Sequence, residues 1–216
     1  MTVDVEREKQ LAGEAAAAMV DSGMRVGLGT GSTVAYLLPA LAKRKLSLRC
    51  VATSPRTEQV ARQLGISVEP FMLDRLDIAI DGADQISPEG WLVKGGGAAH
   101  TREKLVAISA EQFVVIADST KPVNALRSPV PLELIAFGLE STLERLGQVR
   151  LRDVPLSPDG GVIADFIGPV GAPADLAARF EATPGVVEHG LFPPKMVTTI
   201  LVGRGESVER IDVATS

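Results

Sequence analysis

The run Phe113-Val114-Val115-Ile116-Ala117 places five apolar residues in a row directly before Asp118. A strand without polar alternation must be covered on both faces, which excludes a sheet with one face open to water. Four more segments, 24–28, 46–53, 67–71 and 76–80, read as strands, with helical segments over 5–21, 33–44, 54–65 and 99–110. In the first helix Leu11, Ala15, Ala18 and Met19 fall on one stripe, and Asp21-Ser22-Gly23 supplies a stop. Ser54-Pro55 is an N-cap followed by proline at the first helical position. Strands alternating with helices predict an α/β fold, a Rossmann-like, mostly parallel sheet with helices on both faces. Ligands of such sheets bind outside the carboxyl ends of the strands. The Gly29–Thr33 loop, Thr53-Ser54, Asp81 and Asp118 all lie at such ends.

The pattern changes after about Pro129. Segments 130–136, 149–153, 162–167 and 186–190 read as strands, 138–146 and 173–181 as helices, with a turn at 158–161 and a further strand over 196–202. That order predicts a smaller ferredoxin-like α+β domain of the split βαβ kind. The expected division is residues 1–128 with about 203–216 as the larger domain, and 129–202 as the smaller.

Composition narrows the function class. Charged residues are 23% of the 216, the net charge is −5 and no basic patch exists, so the footprint of a nucleic-acid binder is missing. Cys50 is the single cysteine, which excludes an intrachain disulfide. The opening MTVDVEREKQ does not read as a signal peptide, and no apolar stretch is long enough to span a bilayer. A soluble, cytoplasmic protein is expected, with no membrane partner.

Three motifs carry chemistry. In GLGTGST (27–33) two glycines let the backbone approach an anion, Thr30, Ser32 and Thr33 add hydroxyls, and the following helix points its N–H groups at the same spot. The spacing is not that of a dinucleotide fingerprint, and no P-loop lysine follows. The alternative is a capped glycine turn. DGAD (81–84) holds Asp81 and Asp84 at i,i+3, as metal ligands, turn formers or partners for sugar hydroxyls. The ligand set for metal is thin, since neither histidine is near in sequence. KGGGAAH (94–100) sets Lys94 before Gly95, Gly96 and Gly97, a second anion cradle able to stabilise an oxyanion.

Glu103 sits between Arg102 and Lys104, where a solvated charge would be ordinary. Ala99, Val106, Ala107 and Ala110 share its helical face, however, so it points toward the small apolar side. Desolvation raises a carboxylate's pKa toward neutrality, as a general base needs. Lys121, after the Asp118 strand, suits either a phosphate contact or an ordinary surface position, and His100 and His189 have no partners in sequence.

Taken together, GTGST (29–33), TSPRTEQVARQLGI (53–66), DGAD (81–84), KGGGAAHTREK (94–104) and ADSTK (117–121) resemble the type A ribose-5-phosphate isomerases in order and spacing. The resemblance continues through PVPLELI and PGVV with GLF, covering essentially the whole chain. It implies interconversion of ribose 5-phosphate and ribulose 5-phosphate in the pentose phosphate pathway, with no cofactor and no metal. It implies substrate binding by Thr30, Gly31, Ser32 and Thr33, by Asp81, Gly82, Ala83 and Asp84, by Lys94, Gly95, Gly96 and Gly97, and by Lys121 and Lys9. Glu103 would be the proton acceptor, with Lys94, Asp81 and Asp84 as the other catalytic groups. A homo-oligomer, dimer or tetramer, is implied, with the smaller domain taking part in assembly. Gln85 stands where the family usually has Glu, and His100 where it is usually apolar. The rival reading is a sugar-phosphate-binding regulatory module on the same fold.

Overall fold

A computed structural model describes residues 3–72 and 75–213. In chain order the elements are α1 (Val5–Ala18), β1 (Arg25–Leu28), α2 (Val34–Lys43), β2 (Arg49–Ala52), α3 (Pro55–Gln63), β3 (Leu76–Gly82), β4 (Gln85–Ile86), β5 (Leu92–Val93), α4 (His100–Ile108) and β6 (Ala110–Asp118). There follow β7 (Val130–Leu134), α5 (Leu139–Leu146), β8 (Val149–Leu151), β9 (Val162–Phe166), α6 (Pro173–Glu181), β10 (Val186–His189), β11 (Leu191–Phe192), β12 (Thr199–Arg204) and β13 (Ser207–Asp212).

Two compact units divide the chain. The first comprises residues up to Ala83, Arg102–Lys121 and those from Pro194 on; the second comprises Asp84–Thr101 and Pro122–Pro193. This differs from the expected boundary at residue 129. The segments 84–101 and 122–128 go with the second unit, and the strand expected to close the smaller domain, β12, pairs in parallel with β6 of the first. The chain's last described strand, β13, returns antiparallel to β12; residues 214–216 of the expected larger domain, like 1 and 2, lie outside the described residues.

The first unit is built on a six-stranded sheet in the order β13-β12-β6-β3-β1-β2, parallel except at β12–β13. Alternation along the strands assigns its two faces. Val26, Leu28, Ile78, Ile80, Val114 and Ile116 join α1 and α2 residues such as Ala12, Ala16, Leu37 and Leu41 in one core. On the opposite face Gly27 and Ala79 admit α4: a Cβ on Gly27 would fall 2.4 Å from Val106 Cγ1. The expected strand over 67–71 shrinks to a bridge between Cys50 and Val68, because Pro70 has no N–H with which to extend it. The α1 stripe is also rotated from expectation. The helix buries Glu8, Ala12, Gly13, Ala16 and Ala17, and leaves Leu11 half-buried and Ala18 exposed. The reason is close helix packing: a Cβ on Gly13 would meet the Leu37 backbone nitrogen at 2.9 Å, so the smallest residues face α2.

The second unit carries a four-stranded antiparallel sheet in the order β10-β7-β9-β8, the order of a split βαβ domain. Val130, Leu132, Leu134, Ala164 and Phe166 pack with Leu146, Leu176 and Phe180 of α5 and α6 on one face. The other face holds Pro131, Glu133, Ile163 and Asp165, all buried. A second sheet, β11-β5-β4, consists of strands of two residues each.

Candidate active site

In the first unit, the loop after β1 and the end of β3 are locked together. Asp81 Oδ1 accepts from the N–H groups of Thr30 (2.9 Å) and Gly82 (2.7 Å). The carboxyl occupies the space that a side chain at residue 29 would need, since a Cβ there would lie 2.1 Å from Asp81 Cγ. Asp81 is buried, so its two backbone donors replace the water it leaves behind.

The Thr30 hydroxyl does not face outward as an anion donor. It lies 2.8 Å from Thr53 Oγ1 and from Ser54 Oγ, within a network in which Thr57 Oγ1 donates to the Gly29 carbonyl at 2.9 Å. Ser54 also caps α3 as expected, accepting from the Thr57 N–H at 3.1 Å. Gly31 and Ser32 are exposed, Thr33 is buried, and α2 begins without a side-chain cap. The loop therefore offers backbone N–H groups and the Ser32 hydroxyl at a helix start, while Thr30 braces it from beneath.

Lys121 follows Asp118, whose Oδ1 accepts from the Thr120 N–H at 2.9 Å and from its hydroxyl. The Lys121 side chain has no ion-pair partner among the described residues. The same loop is held by a residue that motif reading misses. Glu8 is buried on α1 and accepts from the Ser119 N–H (2.9 Å) and the Gly205 N–H (2.8 Å). Burial pushes the Glu8 carboxyl up, but hydrogen bonds from Gly205 and Ser119 and the charge of Arg204 outweigh it and leave it below its ordinary value. In the sequence Glu8 shares a stripe at helical spacing only with small residues, Ala12 and Ala16, a weaker signal than the Leu11 and Met19 stripe. Lys9 is not brought to these loops by any recorded contact; it pairs with Glu6 at 2.7 Å, which also accepts from the Tyr36 hydroxyl.

Glu103 is 4% exposed, and Val106 and Ala107 on its face are likewise buried. The helix stops at Ile108, so Ala110 belongs to β6 and not to that face. A carboxylate flanked in sequence by Arg102 and Lys104 is thus buried, on a helix face that also carries the buried Val106 and Ala107.

In the second unit, Lys94 is 2% exposed, its N–H donates to the Gly190 carbonyl at 2.8 Å and its Nζ lies 5.4 Å from the centre of the Phe192 ring. Gly95 adopts φ +102°, and a Cβ there would meet His100 Nδ1 at 2.7 Å, so the glycine gives the buried histidine its room. Asp84 Oδ2 accepts from the Gly96 N–H at 2.8 Å, joining the acidic motif to the glycine loop. Gln85 forms a two-way pair with Arg127, donating to its carbonyl at 2.7 Å and accepting from its N–H at 2.8 Å. A glutamate could make only the second of these bonds. No group of three or more His, Cys, Asp or Glu among the described residues is arranged to hold a metal ion.

The first unit thus offers a glycine loop and helix start at its strand ends and a buried carboxylate, and the second a lysine before three glycines. Comparison with known proteins gives the family. Residues 49–207 match the family model of ribose 5-phosphate isomerase A (phosphoriboisomerase A). The chain is 44% identical over 206 residues to the ribose-5-phosphate isomerase A of Caulobacter sp. strain K31, covering 88% of this chain and 91% of that one. Among solved structures, the ribose 5-phosphate isomerase A of Neisseria gonorrhoeae superposes with a TM-score of 0.92 at 30% identity, covering 99% of this chain and 100% of that one. A D-ribose-5-phosphate isomerase in complex with phospho-erythronic acid gives 0.90 at 32% identity, covering 97% and 99%. The chain belongs to the ribose 5-phosphate isomerase A family.

Proposed function

We propose that this protein interconverts D-ribose 5-phosphate and D-ribulose 5-phosphate through an enediolate. The observation that carries the reading is Glu103, a carboxylate 4% exposed on the apolar face of α4. Moving a carbonyl between C1 and C2 needs one base that takes a proton from C2 and returns it to C1, and Glu103 is that base. The enediolate between the two transfers needs a fixed cation or N–H donors, which Lys94 and the Gly95 and Gly97 amides supply, the Gly96 N–H being taken by Asp84. Asp81, anchored through Oδ1 by the Thr30 and Gly82 amides, assists ring opening of the sugar, and Asp84 binds hydroxyls. The loop Gly31–Thr33, with Lys121, takes the phosphate, whose binding energy is spent on orientation. Lys9 would have to leave Glu6 to reach the phosphate.

The phospho-erythronic acid held by a matched isomerase supports this chemistry. Its carboxylate places negative charge on two oxygens at one end of a phosphorylated chain, as an enediolate does. The family membership favours the enzyme over a regulatory sugar-phosphate module.

The test is to incubate the protein with ribose 5-phosphate and EDTA and follow ketose formation. Glu103→Gln should bind substrate nearly normally and lose about 10²–10⁴-fold in turnover, roughly 3–5 kcal/mol of barrier. Near-normal turnover in that variant would remove Glu103 from the role of base.

A cytoplasmic homo-oligomer, a dimer or tetramer assembled through the second unit, belongs to the same proposal. Phe137 (90% exposed), Val154, Leu156 and Ile167 of that unit are apolar side chains turned to solvent, which supports the assignment. Sedimentation equilibrium gives the mass as a multiple of 22.7 kDa.

A further inference from the structure

The glycine loop after Lys94 is anchored by a residue outside every motif named above. Arg152 follows β8, and its side chain is 15% exposed. Its guanidinium forks onto Asp165 of β9, with Nε donating to Oδ2 at 3.0 Å and Nη2 to Oδ1 at 2.6 Å. The remaining nitrogen, Nη1, donates to the carbonyl of Gly95 at 2.9 Å and to that of Gly96 at 3.2 Å. Asp165 is itself buried, so the fork is held in one orientation.

The consequence follows from peptide geometry. In a planar trans peptide the C=O and N–H point in opposite directions. The unit joining Gly95 to Gly96 has its oxygen on Arg152 and its N–H on Asp84 Oδ2. The next unit has its oxygen, that of Gly96, on Arg152 as well, which turns the Gly97 N–H away from the guanidinium. Three glycines in a row have the greatest backbone freedom a chain can have, and without an anchor their amides would sample many directions. One arginine thereby sets the direction of two consecutive amides in the loop assigned to the enediolate.

We propose that Arg152, oriented by Asp165, is a positioning residue for isomerisation, aiming the Gly97 amide and the adjoining Lys94 segment for the transition state. The inference rests on the assignment of that loop to the reacting end of the sugar. Groups that act by aiming donors at developing charge alter kcat more than KM.

The experiment is steady-state kinetics on Arg152→Ala, Arg152→Lys, Asp165→Asn, Arg150→Ala and Lys94→Ala, with folding followed by circular dichroism. Arg150 is a fitting control, being mostly exposed and 3.9 Å from the same Asp165 carboxylate. Arg152→Ala should lower kcat by about 10–100-fold, as loss of an orienting partner does, with KM changed by less than about 3-fold. Millimolar guanidinium should restore part of that kcat. Arg152→Lys should stay impaired, because an ammonium cannot fork onto a carboxylate and reach two carbonyls at once. Asp165→Asn should follow Arg152→Ala, and Arg150→Ala should match the parent. Unchanged kcat in Arg152→Ala beside a strongly impaired Lys94→Ala overturns the proposal and leaves the loop assignment standing. Unchanged kcat in both overturns the loop assignment and the proposal with it. A loss in Arg152→Ala that tracks the unfolded fraction and does not respond to guanidinium also overturns it.

Discussion

Asp81 and Gly29 act as one device at the residue scale. The carboxyl of one fills the volume the other lacks, and the result joins two strand ends that have no hydrogen-bonding register beyond Gly29 N–H to Ile80 O at 2.9 Å. Gly29→Ala would push a methyl to 2.1 Å from Asp81 Cγ, so the carboxyl must leave and both amide bonds to it break. We expect a loss of about 1–3 kcal/mol in stability, the usual range for overpacking, and at least a tenfold fall in kcat/KM. Gly31→Ala is the informative contrast. Its Cβ meets nothing within 4 Å, and only its φ of +134° is strained, so packing around Asp81 should survive. Denaturant melts and kinetics on the pair separate the two effects; equal behaviour would show that the Asp81 contact is not what matters. The sequence left three uses open for the aspartates, because a carboxylate's partner depends on which strand lies beside it. The glycine loop was legible as a motif, but not the turning of Thr30 onto Thr53, Ser54 and Thr57, which depends on β1 pairing with β2.

Helix α1 belongs to the element scale, and its contribution to the site runs through Glu8. Its two oxygens take the Ser119 and Gly205 amides, fixing the turn after β6 and the turn between β12 and β13 against one helix. The close fit is also steric, since a Cβ on Gly203 would lie 2.1 Å from the Glu8 carbonyl oxygen. Glu8→Gln keeps the size but places an NH₂ against one of two amide donors. The expected cost is about 1.5–3 kcal/mol, the range for hydrogen bonds to charged groups. Its pH dependence has a definite sign. The folded carboxyl sits below the ordinary value of 4.5, so its contribution is complete above that pH and is lost as pH falls through the lowered folded value. The stability gap between parent and Glu8→Gln should therefore be constant from neutral pH down to about 5 and close under more acid conditions. Urea melts across that range measure it, and a gap that widens in acid would contradict the assignment. Because Ser119 adjoins the Lys121 turn, KM should rise as well. The existence of α1 was readable from its periodicity. Its buried face was not, because Gly13 and three alanines carry too little hydrophobic signal to outvote Leu11 and Met19.

Connectivity decides the behaviour of the whole molecule. The chain passes from one compact unit to the other at 83–84, 101–102, 121–122 and 193–194, so neither unit is a continuous stretch of sequence. The sequence pattern places boundaries near residues 129 and 203 and none at 84 or 101, because the segment 84–101 contains only two-residue strands, too short for any periodicity to register. Yet that segment supplies Val93 to the apolar core of the second unit and pairs Leu92 and Val93 with Phe192 and Leu191. It also provides the carbonyls that Arg152 holds and the Thr101 hydroxyl that donates to the buried Glu133. A fragment of residues 122–193 would contain the four-stranded sheet, α5 and α6, and still lack these partners. Leaving a buried carboxylate short of a donor, a guanidinium short of two acceptors and an edge strand unpaired costs about 1–3 kcal/mol at each group. That is comparable to the whole stability of so small a domain. We therefore expect the fragment to show no cooperative thermal transition, and a peptide of residues 84–101 added in trans to restore one. Circular dichroism melts with and without the peptide decide the matter: a sharp transition from 122–193 alone would mean that the excised sheet and its two helices suffice, and that the segment carrying Lys94 is held by the second unit without stabilising it.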